Sequence, residues 1–201
     1  AEALWRRHRF DDLSFQDESF FTDQRRVEDI VDGFLALELP FSWAATLRAD
    51  QGARLPGDLF SAAVASGLRR VIVGVESGSD EMLRWLSKDI TLEQVMTCAE
   101  RCRAHGVNAI FPFIVGLPDE PAATVAASLG LARELRSMSP GFETPIFYYA
   151  PYPGSALASS HIDGFESPRN LEEWSRFDFV GGRGPWVRDE VVALVDAFNS
   201  E

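Results

Sequence analysis

Arg70-Val71-Ile72-Val73-Gly74-Val75-Glu76-Ser77-Gly78-Ser79 is the stretch that decides the fold. Residues 70–75 are β-branched and nearly continuous, as in a strand buried on both faces, and the run ends directly on a carboxylate, Glu76. A short helix over 79–86 follows. On the N-terminal side, 41–47 is a strand candidate leading to a helix over 58–66 that stops at Gly67. Before it, 13–16 is short and strand-like, Asp23 offers an N-cap, and Val27, Ile30, Val31, Phe34 and Leu35 follow at helical spacing. On the C-terminal side, Thr91 with Gln94 forms a capping-box pattern opening a helix that ends at Gly106. Then come a strand over 108–115, a helix over 120–137 and a strand over 144–149.

These strands begin at 13, 41, 70, 108 and 144, so they are 28, 29, 38 and 36 residues apart. Strands and helices alternating at that spacing are βα units on a parallel sheet. A doubly wound sheet and a (β/α) barrel both fit. The barrel gains weight because the unusual residues sit just after strand ends, where barrel active sites are built. After Tyr149 the chain becomes rich in Pro, Gly and Ser, and a final helix over 189–199 reads as a cover over one end.

With 201 residues, 46 % apolar and 25 % charged, the chain has the composition of a soluble globular protein. Nineteen basic against 31 acidic residues give a net charge of −12, which argues against a phosphate-backbone binder. No apolar run reaches bilayer length and no signal-peptide core opens the chain. Two cysteines make no disulfide framework, so a cytoplasmic setting is expected. The chain opens on Ala1 rather than Met and soon runs into a strand, which reads as a piece of something longer.

Five groups could carry chemistry. Gln16-Asp17-Glu18 sets acids at the end of the first strand, where they could bind an amine, a metal or a hydroxyl; a solvated turn capping the next helix is the plainer reading. Arg48 falls where the second strand meets its loop, placed either to grip a carboxylate or to pair with Asp50. Glu76 ends an apolar strand, and burying a carboxylate requires a dedicated partner; a ribose diol would serve, as would an ion pair within the fold. Gly116, after Ile114 and Val115, permits a flat ligand to approach the backbone, or simply makes a turn before Pro118. Tyr148 and Tyr149 precede, and Tyr152 sits between, the prolines of a rigid exit segment. Cys98 and Cys102, among apolar residues of one helix, read as buried side chains rather than metal ligands, and His8, His105 and His161 are scattered singly.

Taken in this order and at these intervals, the five groups resemble the radical S-adenosylmethionine (radical SAM) superfamily, and most of all the subgroup carrying a cobalamin-binding domain before its barrel. Gln16-Asp17-Glu18-Ser19-Phe20 is similar to that subgroup's D-D-x-F segment, and Arg48 to its third-strand arginine. Gly74-Val75-Glu76-Ser77-Gly78-Ser79, with Lys88 and Thr91, matches G-x-E-S-G-S. Phe113-Ile114-Val115-Gly116-Leu117-Pro118 matches F-I-x-G-L-P, and Pro151-Tyr152-Pro153-Gly154-Ser155 matches P-Y-P-G-[ST]. The tail, with Leu171-Glu172-Glu173-Trp174, Phe177-Asp178 and Pro185-Trp186, is similar to the end of the barrel domain.

The resemblance implies an α/β fold, a partial (β/α) TIM-like barrel holding strands two to six of six plus a C-terminal helical tail. It implies a barrel over 1–157 and an extension over 158–201 covering the barrel end. The first strand and the Cys-x3-Cys-x2-Cys loop of the family are not in this sequence. The implied cofactors are SAM, a [4Fe–4S] cluster in the parent protein and, in members with the upstream domain, cobalamin; the implied partners are a small-molecule or natural-product substrate and a flavodoxin- or ferredoxin-type electron donor. In the family the cluster reduces SAM and a 5′-deoxyadenosyl radical abstracts a substrate hydrogen atom, leading to methyl transfer or ring formation. On this resemblance Glu76 holds the ribose, Arg48 with Ser77 takes the methionine carboxylate, and Asp17 and Glu18 meet the amino group or the substrate. Ile114 and Gly116 pack the adenine, Tyr149 and Tyr152 line the substrate side, and no residue is assigned to a metal. The competing expectations are a catalytically inactive barrel-type binding module and an unrelated TIM-barrel enzyme using the Asp17 and Glu76 carboxylates.

Overall fold

The computed structural model describes residues 1–38, 40–152, 157, 162, 165–175 and 183–201. Five parallel strand lines run in chain order. The sheet begins with β1 (Asp12–Ser14), β2 (Ser42–Thr46) and β3 (Leu68–Ile72), each pairing the one before. The fourth line is broken into β4 (Asn108–Ile110) and β5 (Phe113–Val115), and the fifth into β6 (Phe142–Glu143) and β7 (Ile146–Tyr148). Pro112 and Pro145 sit at the breaks, where a missing N–H interrupts the ladder. Continuity survives through their carbonyls: Phe113 N–H donates to Pro145 O at 2.9 Å, and Glu76 N–H to Pro112 O at 3.1 Å.

Neighbouring strands are consecutive in sequence, with no reversal of order. A doubly wound sheet reverses at a switch point; this one does not, and right-handed crossovers then put the helices that join its strands on the same side. The fold is the wall of a (β/α) barrel. Burial along β3 agrees: Val71, Val73 and Val75 are fully buried on the helix side, whereas Ile72 is 37 % exposed on the inner face.

The helices are α1 (Glu2–His8), α2 (Gln24–Leu37), α3 (Ala49–Arg54), α4 (Gly57–Ala65), α5 (Asp80–Trp85), α6 (Leu92–Ala104), α7 (Ala122–Met138), α8 (Leu171–Ser175) and α9 (Asp189–Asn199). Asp23 caps α2 by accepting from Arg26 N–H, and the Thr91–Gln94 box opens α6 in both directions. The core centres on Trp43, fully buried, with the rings of Phe15, Phe20 and Phe34 about it at 5.9, 5.5 and 6.2 Å. Pattern reading missed α1, α3 and α8, all of seven residues or fewer and too short to show a helical period.

The C-terminal segment returns to the sheet. Trp186 Nε1 donates to Gly116 O at 2.9 Å, and Arg136 of α7 lies 4.4 Å over the Phe198 ring of α9. Of the tail residues named above, Pro153, Gly154, Ser155, Phe177 and Asp178 lie outside the described residues, as does the ground around the 157/158 boundary. Among the described residues no helix is long and apolar enough to cross a membrane.

Candidate functional site

At the C-terminal ends of β1–β3, Glu18, Arg48, Gly74, Glu76 and Lys88 line one cavity of about 210 Å³. They reach it from the three successive βα connections after β1, β2 and β3, although 70 positions separate Glu18 from Lys88.

The first loop is fixed by its backbone. Thr46 Oγ1 donates to Asp17 O at 2.5 Å and accepts from Phe20 N–H at 3.4 Å. Arg26 of α2 reaches back to Asp17 Oδ1 at 2.9 Å and to Phe20 O at 2.6 Å, with its guanidinium 5.0 Å over the Phe20 ring. The two acids therefore part company: Asp17 is held by Arg26, and Glu18 faces the cavity.

Arg48 makes the pair with Asp50 that its sequence neighbourhood allowed, Nε to Oδ1 at 2.9 Å. Nη2 touches the carbonyls of Lys88 and Asp89 at 3.4 and 3.5 Å. Nη1 has no hydrogen bond among the described residues, and the arginine still lines the cavity.

Glu76 extends the sheet by one bridge to Phe113. Its φ is +69°, a left-handed backbone that costs a non-glycine residue about 1–2 kcal/mol; such conformations cluster at functional sites. Oε1 lies 2.6 Å from Lys88 Nζ, with the two side chains 20 and 27 % exposed. Lys88 is thus the dedicated partner that burial of Glu76 demanded.

Ser77, Ile114 and Gly116 do not line this cavity. Ser77 is fully buried, its hydroxyl 3.3 Å from that of Ser128 on α7 and accepting from Ser79 N–H at 3.2 Å. These bonds tie the loop to α7, so Ser77 does not stand beside Arg48 as expected. Gly116 adopts φ +73°, and a Cβ there would meet Val187 at 3.0 Å and Tyr148 at 3.2 Å. On that side the close approach that glycine permits is made by the C-terminal segment rather than by open ligand space. Ile114 is half-buried, its N–H bonded to Glu76 O at 2.9 Å. Tyr149 is half-buried with its ring 6.2 Å from that of Trp186, and Tyr152 is 44 % exposed beyond it.

Glu120, to which the sequence reading gives no role, is 3 % exposed. It accepts from Gly116 N–H at 2.7 Å, Leu117 N–H at 3.1 Å and Thr124 Oγ1 at 3.2 Å. Burial nevertheless pushes its pKa up. It closes the turn that carries Gly116; a glutamate four residues after that glycine was the readable signal. Arg26 and Arg70 carry no signal, because the fold of the first loop onto α2 sets the neighbours of one and strand register those of the other.

The Radical SAM superfamily matches residues 50–132. "Uncharacterized methyltransferase PH0819" of Pyrococcus horikoshii is 28 % identical over 146 residues, 73 % of this chain and 30 % of that protein. Among solved structures, the radical S-adenosylmethionine methyltransferase TsrM of Kitasatospora setae, with cobalamin and a [4Fe–4S] cluster bound, superposes at a TM-score of 0.59 with 16 % identity, covering 72 % of this chain and 29 % of that one. Coproporphyrinogen III oxidase (HemN) of Escherichia coli, described as a radical SAM enzyme, gives 0.63 and 14 %, covering 94 and 40 %. The chain thus spans under a third of the curated relative it matches.

Proposed function

We propose that the chain is part of a radical SAM barrel, the superfamily whose model matches residues 50–132, and that the cavity at the ends of β1–β3 binds SAM in an enzyme of the radical SAM methyltransferase kind. The observation that carries this reading is the convergence of Glu18, Arg48 and Glu76 on one cavity from three successive βα loops. Their chemistry matches the three polar parts of the ligand. A glutamate accepts from vicinal ribose hydroxyls, and Glu76 Oε2 has no hydrogen bond among the described residues. A guanidinium grips a carboxylate through paired N–H groups, which Arg48 Nη1 and Nη2 can supply. An ammonium needs an anion, and no ion pair among the described residues occupies Glu18.

When bound and reduced, SAM supplies a carbon-centred radical by cleavage of a carbon–sulfur bond. The contribution of this chain is to bind and orient. The cluster does not fit its residues: the two cysteines, Cys98 and Cys102, are fully buried on α6, and their mutual hydrogen bond, with burial added, pushes the Cys98 thiol well up, away from thiolate. Among the described residues no three His, Cys, Asp or Glu side chains converge on a metal position. Methyl transfer and a cobalamin held by another part of the parent protein are further parts of the proposal, supported by the name of the Pyrococcus relative and by the shared fold with TsrM.

Calorimetric titration of SAM into the full-length protein tests the site. Glu76→Ala removes charge-assisted bonds of about 1.5–3 kcal/mol, so affinity falls roughly 10- to 100-fold. Equal affinity in wild type and variant overturns the ribose assignment.

A further inference from the structure

Below the mouth, the strand register changes the inner face of the barrel. Trp43 pairs with Leu68 and Ala44 with Arg70, so Arg69 is the extra residue of a β-bulge. A bulge re-aims the side chains around it. Arg69 Nε donates to Asp12 Oδ1 at 2.8 Å and to Ser42 Oγ at 3.0 Å. Arg70 lines a second cavity, of about 180 Å³, with Gln16, Asp17, Glu18, Thr46 and Ile72. Asp12, Ser14 and Gln16 alternate along one side of β1, so two consecutive arginines serve a single face.

Among the described residues, that face does not hold an acid for each of them. Asp12 feels the positive charge of both, but its oxygens are bonded to Arg69 and Ser42. Asp17 is taken by Arg26. Thr46 gives its proton to Asp17 O, and the Gln16 amide donates to Ser14 Oγ at 3.2 Å. Glu18 lines the cavity without an ion pair to Arg70. The Arg70 Nε is buried with no hydrogen-bond partner among the described residues. A desolvated guanidinium N–H without an acceptor is costly, and an incoming anion relieves that cost.

We propose that Arg70 anchors a carboxylate of the small-molecule substrate. A single guanidinium presents a planar fork that matches two carboxylate oxygens, whereas a phosphate dianion would need further donors and would face Glu18. The lower cavity shares Glu18, Thr46 and Ile72 with the upper one, so the two form one cleft. At about 3.3 Å per strand residue, Arg70 lies about 13 Å below Gly74. The substrate class is therefore an elongated carboxylic acid, its acid end at Arg70 and its reacting part toward Glu76. The reacting end rests on the SAM reading above; the carboxylate anchor does not.

Saturation-transfer NMR titrations on the full-length protein test it, with propionate as probe, propionamide as its neutral isostere and inorganic phosphate as the rival anion. Propionate is expected to bind, with propionamide and phosphate about tenfold weaker, and Arg70→Met is expected to weaken propionate at least about tenfold. No propionate binding to wild type, equal binding of propionamide, tighter binding of phosphate, or unchanged binding by Arg70→Met each overturns the proposal. Should Arg70→Met fail to fold, Arg70→Lys decides: a several-fold loss supports the fork, and unchanged affinity overturns it. Calorimetry of SAM with the wild-type protein is a separate arm, whose failure overturns the mouth assignment and leaves the propionate result standing.

Discussion

Lys88 Nζ lies 2.6 Å from Glu76 Oε1, and the pair folds over the Cα of Gly74, where a Cβ would stand 2.9 Å from that oxygen and 3.0 Å from that nitrogen. The glycine leaves room on the inner face for a carboxylate and an ammonium to meet above the strand. Glu76 reaches this place only from its left-handed backbone, so strand end, glycine and lysine form one device that aims a carboxylate into the cavity.

Gly74→Ala is the direct test of that device. The new methyl meets the ends of flexible side chains, so the fold survives. The partly exposed pair contributes about 1 kcal/mol at most, and the alanine regains about 0.5–1 kcal/mol of backbone entropy. The thermal midpoint should therefore stay nearly level while SAM affinity falls, by about three- to tenfold if Glu76 is displaced. An unchanged SAM isotherm would separate the glycine from the site.

Lys88→Met probes the same pair from the other side. It leaves a carboxylate that is 20 % exposed without its cation, which should destabilise the protein more than Gly74→Ala does. In a double-mutant cycle with Glu76→Gln the coupling should be on the order of 1 kcal/mol. A coupling near zero in chemical denaturation would mean that the two charges meet without interacting.

Much of this arrangement was readable before any coordinates. The spacing of apolar runs located all five strand lines, and Asp23, Thr91 and Gln94 marked helix starts through local bonds that a sequence displays directly. That Glu76 must have a partner followed from the cost of burying charge, and Lys88 is that partner. What could not be read depends on contacts between distant segments. The serine of the Glu76-Ser77 pair turns away because Ser128, 51 residues later, takes its hydroxyl. The space beside Gly116 is filled by Val187, and the bulge that turns Arg69 and Arg70 to one face exists only in the register between β2 and β3.

Trp43→Ala should be the most damaging single change in the outer core. The ring is fully buried among Phe15, Phe20, Phe21 and Phe34, and its Nε1 donates to Ser66 Oγ at 3.2 Å. Truncations of this size cost about 3–5 kcal/mol. The aromatic cluster also carries the loop bearing Asp17 and Glu18, so near-ultraviolet circular dichroism and SAM binding should weaken together. Trp43→Phe should keep most of the stability, losing chiefly the indole bond. A Trp43→Ala protein of wild-type midpoint would show that the ring is not central to the core.

Glu120 supplies a pH dependence whose sign can be worked out. Its carboxyl is raised by burial, against the opposing pull of the Leu117 and Gly116 amides, Thr124 and Arg188. The folded state therefore binds the proton more tightly than the unfolded chain does. Stability from this group is fully present below the unfolded carboxylate range and is lost as pH rises through the folded value. In Glu120→Gln the amide oxygen can still accept from Gly116 and Leu117, and no charge has to be buried. Relative to wild type, the variant should have an equal thermal midpoint near pH 4 and a higher one at about pH 7, the gap opening just above the ordinary glutamate range. A gap that shrinks as pH rises would mean that the charged form is the one the Gly116 turn prefers, and that the three bonds to Glu120 outweigh its burial.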